Sequence, residues 1–337
     1  MHFNGGLLNV GFAMNKIIYC EIGFLKILFE RLKKTYSPLD DNWAEGEFAR
    51  KIIKEVFSQK YVTIHYNDKQ QFRQLLEENE YFRSIVKRSE STEGYAQMDC
   101  DSYLPIDSIN ETVLNAIYFV LSNESIATEK GIMALTPDTI NDSALYKDFG
   151  IAIGRNEKCT WADILKKAQH HCNALMAFDN YLYNSKEDNL FSIFDTLLPK
   201  KMSQSISFQI ALFMQEKPGI SIENEYNIIL NKIKEIRPEL SFCLTIYQCF
   251  TSDFHDRAII TNNIWIGSEA GFDLMKKDKR GFRTESAKST TIHMKYPFLQ
   301  NNSDSAYGSY SNFIRDAERI MRANKKIGNE ETNRLIM

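Results

Sequence analysis

The chain has 337 residues, of which 43% are hydrophobic and 25% are charged, and its formal net charge is −3. This length and composition predict an ordered globular protein of two domains and exclude a disordered or fibrous chain. The small negative charge argues against non-specific binding of nucleic acid by the whole surface.

The sequence shows no pattern typical of export or of membrane insertion. Polar residues interrupt the apolar stretch at the start, so no signal peptide is predicted. No run approaches the roughly 18 apolar residues of a membrane span. Six cysteines are scattered without a C-x-x-C pair or a cluster at zinc-ligand spacing. We therefore expect a cytoplasmic protein with no integral membrane contact, no bound metal and no cofactor.

Residues 1–130 predict an N-terminal α/β domain of unknown role. Continuous apolar runs favour strands, and amphipathic spacing favours helices. Strands are predicted at 16–22 and 61–66, and helices at 23–36, 42–59, 68–89 and 111–122. Residues 131–160 form the predicted junction, with short strands at 131–137 and 148–154 that the pattern assigns to neither domain.

From residue 161 strands and helices alternate regularly, which predicts a C-terminal domain over 161–327 and a tail over 328–337. Helices are predicted at 161–171, 187–199, 223–237 and 312–326, and strands at 173–182, 205–214, 240–247 and 289–299. Alternation of this kind is typical of right-handed βαβ crossovers. The predicted fold class is therefore α/β, with a largely parallel sheet flanked by helices.

The stretch FHDRAIITNNIWIGSEAGFDL, residues 254–274, combines polar chemistry with two short strand-like runs. His255 and Arg257 are two residues apart and share one face of an extended strand, while Asp256 points to the other face. Asn262, followed by a second asparagine, predicts a turn between the runs. One face therefore carries an imidazole and a guanidinium together, which suits a phosphate group.

The motif resembles that of the phospholipase D superfamily, in which H-x-K-x-x-x-x-D precedes a short strand and Gly-Ser. Here the pattern reads His255, Arg257 and Asn262, followed by Gly267 and Ser268. With EAGFDL after it, the motif is similar to the single-motif domains at the C terminus of MIT-domain proteins. Similar domains occur in bacterial phage-defence proteins, so the resemblance implies a role in antiviral defence with a defence-system partner protein.

The resemblance covers about residues 160–300 and implies a metal-independent phosphodiesterase or nuclease. It implies that His255 is the nucleophile, that Arg257 clamps the phosphate and that Ser268 donates a hydrogen bond to it. Asn262 replaces the acid that orients the histidine, and an amide cannot stabilise imidazolium by its charge. The chemistry needs two histidines and the chain has one motif, so a homodimer is expected to supply the second.

Further residues are predicted to contact phosphate or to line the pocket. Residues 255–327 carry thirteen Lys or Arg against eight Asp or Glu, and the basic run at 276–283 predicts either a groove for a phosphate backbone or a solvated loop. The predicted phosphate-binding residues of this run are Lys276, Lys277, Arg280 and Arg283. The predicted pocket residues are Asp179, Asp256, Glu269, Thr291 and His293. Asp179 is included because ligands bind at the carboxyl edge of parallel strands.

The residues leave several alternatives open for the ligand and for the chemistry. The predicted partner is nucleic acid or another phosphodiester, but a degenerate site would instead bind phosphate, a lipid surface or a partner protein without turnover. Asp256 and Arg257 would also fit a structural ion pair, and His293 with Lys295 forms a second H-x-K. In a third hypothesis the N-terminal domain is the effector, with acidic side chains on a divalent metal as in PIN-like nucleases. Those side chains are Glu21, Glu45, Glu47, Asp99 and Asp101.

Overall fold

The structure is a computed structural model whose described residues form a four-stranded sheet, an eight-stranded sheet and a small two-stranded ladder, with flanking helices. It describes residues 16–33, 43–57, 62–91, 96–109, 117–121, 134–135, 149–168, 172–181, 183–202, 207–215, 217, 219–254, 256–262, 264–277, 283–286, 288–295, 303–328, 333 and 335–336. Among these residues no helix is both long and apolar enough to cross a membrane.

The first sheet has four parallel strands in the order β2-β1-β3-β4. Its strands are β1 (Lys16–Cys20), β2 (Val62–Tyr66), β3 (Ile117–Leu121) and β4 (Ala134–Leu135). The helices of this part are α1 (Ile22–Lys33), α2 (Trp43–Phe57), α3 (Lys69–Glu78) and α4 (Glu80–Ser91). Asn79 separates α3 from α4, because its side-chain oxygen accepts a hydrogen bond from the Phe82 N–H at 2.9 Å and so caps the second helix.

The helix predicted at 111–122 is wrong over residues 117–121, which form β3. The segment Ile-Tyr-Phe-Val-Leu is rich in β-branched and aromatic side chains, which fit a pleated surface, and it pairs with β1 in parallel. Residues 111–116 lie outside the described part of the chain. The apolar spacing that suggested a helix therefore belongs, over residues 117–121, to a strand that lies between β1 and β4.

The second sheet has eight strands in the order β14-β8-β7-β6-β9-β10-β13-β5. Its strands are β5 (Phe149–Ile153), β6 (Ala174–Phe178), β7 (Phe208–Met214), β8 (Phe242–Gln248), β9 (Ala258–Thr261), β10 (Trp265–Ser268), β13 (Thr290–Lys295) and β14 (Lys326–Gly328). The helices are α5 (Trp161–Leu165), α6 (Leu190–Leu197), α7 (Ile222–Ile236) and α8 (Ser303–Ala323). Of the two strands predicted at the junction, β4 joins the first sheet and β5 the second.

The second sheet is mixed rather than largely parallel. Only the pairings of β6 with β7 and of β7 with β8 are parallel, whereas β9, β10, β13, β5 and β14 pair with their neighbours in antiparallel. A tight turn joins β9 to β10, and strands joined in this way run in opposite directions. The α/β class is confirmed, while the parallel arrangement holds only for the three strands connected through helices.

Two further elements differ from the sequence prediction. Residues predicted as a basic loop form part of a small ladder, in which β11 (Met275–Lys277) pairs with β12 (Arg283–Ser286). The helix α8 begins at Ser303, nine residues before the start at residue 312 that the sequence predicted. Its Phe313 ring lies 4.9 Å from the ring of Phe254, so this helix covers the sheet next to the H-D-R motif.

Candidate functional site

Several polar residues lie together at one edge of the second sheet, the edge formed by the carboxyl ends of its parallel strands. The carboxyl ends of the parallel strands β6 and β7 meet at this edge, so the segments after them bring Asp179, Tyr181 and Lys217 to it. The antiparallel β9 starts at the same edge, because Ala258 pairs with Phe178. Arg257, immediately before β9, therefore lies beside Asp179.

Asp179 is a buried carboxylate, 1% exposed, that holds the loop after β10. Its Oδ1 accepts a hydrogen bond from the Tyr181 N–H at 3.0 Å, and its Oδ2 accepts one from the Phe272 N–H. The Arg257 Nε lies 4.0 Å from Oδ1. Burial raises the pKa of Asp179, while the two backbone hydrogen bonds and Arg257 lower it in part. A Cβ at Gly271, where φ is +84°, would lie 2.8 Å from Oδ2, so only glycine fits here.

Three cations surround the ring of Tyr181, which is 40% exposed. The Arg257 Cζ lies 5.2 Å from the ring centroid, the Lys217 Nζ 5.3 Å and the Lys288 Nζ 5.4 Å. Lys217 is also fixed by a 2.9 Å hydrogen bond that its Nζ donates to the Asn180 carbonyl. We call Tyr181, Lys217, Arg257 and Lys288 the cation–tyrosine cluster. Its three charges and exposed aromatic ring form a surface suited to anions.

Ser268 lies next to Arg257 but uses its hydroxyl within the protein. Its backbone N–H donates to the Arg257 carbonyl at 3.3 Å, which extends the pairing of β10 with β9. Its Oγ donates to the Gly271 carbonyl, and the residue is 7% exposed. Ser268 can therefore donate a hydrogen bond to phosphate, its predicted role, only if its hydrogen bond to the Gly271 carbonyl is broken.

Asn262 lies at the opposite end of the sheet from Arg257. Its Oδ1 accepts hydrogen bonds from the N–H groups of Asn173 and Ala174 at 3.0 and 3.1 Å, and its Nδ2 donates to the Asn173 Oδ1 at 2.8 Å. These partners lie at the start of β6, whereas Asp179 follows its end. Asn262 is five positions along the extended chain from Arg257, or about 16 Å away. The structure thus gives Asn262 a place in anchoring the start of β6, and it does not bring it to the cluster.

The predicted pocket residues of β13 lie on the other face of the sheet from Ser268. His293 is opposite Gly267 in the register, and side chains alternate along a strand. The His293 Nε2 lies 3.7 Å from the Glu269 Oε1. Thr291 shares this face with His293, and a Cβ at Gly150 of β5 would lie 3.1 Å from its Cγ2. The structure brings Glu269, Thr291 and His293 together, but not with Arg257.

The basic run after the motif is placed only in part. Lys276 and Lys277 are exposed on β11, and Lys277 pairs with Arg283 in the ladder. Asp256, the middle residue of the His-Asp-Arg motif, is exposed. His255 and Arg280 lie outside the described residues.

Several residues at or near the candidate site lie outside the sequence motif. Tyr181 and Lys217 follow β6 and β7, so the rule that indicated Asp179 at the carboxyl edge applies to them as well. Asn189, fully buried, accepts hydrogen bonds at its Oδ1 from Trp161 Nε1 and from the N–H groups of Leu274 and Met275. Its Nδ2 donates to the Met275 carbonyl at 3.2 Å. Nothing in the local sequence distinguishes this asparagine from a surface residue.

The acidic residues of the first part do not assemble into a metal centre within the described chain. Among those residues there is no group of three or more His, Cys, Asp or Glu placed to hold a metal ion. Glu47 pairs with Arg50 on α2, and the Asp99 Oδ1 accepts hydrogen bonds from the Asp101 and Ser102 N–H groups in a turn. Glu21 is buried at the end of β1. The Glu45 side chain is outside the described part.

Comparison with protein-family models and with curated proteins found no match to this chain. The resemblance to the phospholipase D superfamily therefore stays a prediction from the motif, and function has to be argued from the site itself.

Proposed function

We propose that this protein recognises the phosphodiester backbone of nucleic acid at the cation–tyrosine cluster. The observation that carries the proposal is the convergence of Lys217, Arg257 and Lys288 within 5.4 Å of the Tyr181 ring centroid. Cationic groups gathered around one ring repel one another, and a phosphate bound beside them reduces this repulsion. Arg257 adds a planar fork of N–H donors that matches two phosphate oxygens.

The surroundings of Arg257 favour binding over a purely structural role for it. The Arg257 Nε is 4.0 Å from Asp179 Oδ1, beyond the 2.7–2.9 Å of a charge-assisted hydrogen bond. Its side chain is 31% exposed. Asp179 is therefore close enough to orient the guanidinium by charge, while the donors stay accessible to a ligand.

The binding proposal is tested with a fluorescein-labelled oligonucleotide and fluorescence anisotropy. We expect Arg257→Ala to weaken binding about 10- to 150-fold, since hydrogen bonds to charged groups contribute roughly 1.5–3 kcal/mol. Arg257→Lys keeps the charge without the fork and should fall between. Lys234, exposed in the last turn of α7, gives the matched control, and Lys234→Ala should bind as the unmodified protein does. Equal affinity in the Arg257→Ala and Lys234→Ala proteins would contradict the proposal.

Hydrolysis by His255 is the second candidate function, and the H-D-R motif supports it. A single residue, Asp256, separates His255 from Arg257 in the sequence. We propose a phospholipase D-like nuclease, acting in phage defence with a partner protein, as the catalytic form of this function. Cleavage of the oligonucleotide should then persist in EDTA and be lost in His255→Ala, while binding by that variant is retained. Binding without cleavage in the unmodified protein would leave the non-catalytic module as the function.

A further inference from the structure

The exposed aromatic residues of the second sheet are concentrated at one edge. The described residues include four exposed large hydrophobics, and two of them, Tyr181 at 40% and Phe250 at 61%, follow strands of this sheet. Tyr181 comes after β6 and Phe250 after β8, and β7 lies between these two parallel strands. The carboxyl ends of the three strands therefore carry two exposed rings at the same edge.

A lysine follows the strand that lies between the two strands carrying the aromatic rings. Lys217 follows β7, the middle strand, and its Nζ is fixed to the Asn180 carbonyl at 2.9 Å. Neighbouring strands are about 4.8 Å apart, so the strands that carry Tyr181 and Phe250 are separated by about 10 Å. A ligand laid across the three strand ends meets an aromatic ring, a cation and a second aromatic ring in turn.

From this arrangement we propose that the edge binds single-stranded nucleic acid, with one base stacked on Tyr181 and a second on Phe250. The phosphate between these bases contacts Lys217, and the phosphates on the other side of Tyr181 contact Arg257 and Lys288. The proposal rests on the proposed function and adds the strandedness of the ligand. Proteins that bind single strands combine cationic grooves with exposed aromatic rings, because unpaired bases offer their flat faces for stacking. In a duplex those faces are covered by neighbouring bases.

The loop that carries Tyr181 is held in place before any ligand binds. The Tyr181 N–H donates to the Asp179 carboxylate, and Lys217 binds the adjoining Asn180 carbonyl. The Asn180 Oδ1 is buried and has no hydrogen-bond partner among the residues that the structure describes. An aromatic ring on an anchored backbone loses little conformational entropy on binding, so its stacking energy goes into affinity.

The test uses the full-length protein and a labelled oligodeoxythymidylate longer than the roughly 4–16 nucleotides that a single-strand-binding fold covers. Anisotropy titrations compare the single strand with a duplex of equal length. We expect preference for the single strand, and Tyr181→Ala should weaken binding between about 5-fold and about 150-fold, the range for one stacked base. Phe250→Ala should weaken it within the same range, whereas Tyr181→Phe keeps the ring and should bind within about 2-fold of the unmodified protein.

Tyr81 supplies the matched control, since it is 50% exposed but lies on α4 beside the first sheet. Tyr81→Ala should leave binding unchanged. Binding that depends on Arg257 but is insensitive to Tyr181→Ala, or that favours the duplex, overturns the single-strand inference and leaves the proposed function standing. Absence of Arg257-dependent binding to either oligonucleotide overturns both. Tyr181-dependent binding to phosphatidylserine–phosphatidylcholine vesicles, without oligonucleotide binding, assigns the edge to a membrane and also overturns the inference.

Discussion

Asp179 sets the charge and the geometry of the candidate site at the scale of a single residue. Its two carboxylate oxygens accept hydrogen bonds from the N–H groups of Tyr181 and Phe272, so one side chain links the loops after β6 and β10. Its remaining negative charge faces Arg257 at 4.0 Å. A phosphate that binds Arg257 directly therefore approaches a cation that is already oriented.

The buried position of Asp179 makes protein stability depend on pH in a defined direction. Burial raises its pKa above the ordinary value of 3.8, so the folded protein keeps this proton at a pH where the unfolded chain has lost it. The stability that Asp179 contributes is fully present below pH 3.8 and is lost as the pH rises through the higher pKa of the folded state. Relative to Asp179→Asn, the unmodified protein should lose free energy of unfolding as the pH rises.

Urea unfolding of both proteins at a series of pH values from about 4 to about 7 measures this difference. Agreement of fluorescence and circular dichroism midpoints serves as the control for two-state behaviour. A difference in free energy of unfolding that stays constant or grows with pH would show that burial does not dominate the titration of Asp179.

The sequence indicated some site residues and misplaced others for physical reasons. Asp179 was found because the end of a parallel strand is a ligand position, and the same reasoning reaches Tyr181 and Lys217 only once the order of the strands is known. Asn262 was chosen by motif spacing, but five residues of extended chain carry it away from Arg257. The contacts of Asn189 join segments more than eighty residues apart, which no local pattern encodes.

At the scale of an element, the hairpin of β9 and β10 is shaped by close packing around Gly267. The Trp265 ring lies across Gly267, and a Cβ there would be 2.0 Å from the Trp265 Cη2. The Lys295 Nζ in turn lies 5.0 Å from the centre of that ring. The glycine of the Gly-Ser pair is therefore needed for packing on the face away from Asp179, while Ser268 lies at the site.

We expect Gly267→Ala to lower the free energy of unfolding by about 1–3 kcal/mol, the usual cost of overpacking. Gly308 is the matched control, because it lies within α8 and a Cβ there would have no atom within 4 Å. Gly308→Ala should raise stability by up to about 1 kcal/mol, since alanine is the better helix former. Urea unfolding of the two variants gives both values, and equal effects would show that the Trp265 ring moves aside at little cost.

Strands and helices with strong periodicity were predicted well, and the errors arose where tertiary pairing decides. The βα alternation from α5 to β8 follows the sequence closely. β3 was mistaken for a helix because its short apolar run fits the spacing of a helix as well as that of a strand. Its pairing with β1 decides between the two, and that pairing cannot be seen in the local sequence. The outer strands β5, β9, β10 and β13 were expected as strands, but their antiparallel direction was missed, because direction depends on connections that hydrophobic patterning does not reveal.

At the scale of the whole molecule, the candidate site concentrates positive charge although the protein as a whole is slightly negative. The net charge is −3, yet the cation–tyrosine cluster concentrates three cations at one sheet edge. Long-range attraction of nucleic acid by the molecule is therefore weak. The proposed binding of nucleic acid would therefore rely on short-range contacts at the cluster, which limits the number of phosphates involved.

The salt dependence of binding counts those phosphates. Each single-strand phosphate neutralised contributes a slope of about −0.7 in log affinity against log salt concentration. Three cations predict a slope of about −2, and Arg257→Ala should reduce its magnitude by about 0.7 while Lys234→Ala leaves it unchanged. Anisotropy titrations over a range of sodium chloride concentrations give the three slopes. A steeper slope that Arg257→Ala does not alter would place the phosphate contacts elsewhere on the protein, with the exposed lysines of β11 as the next region to test.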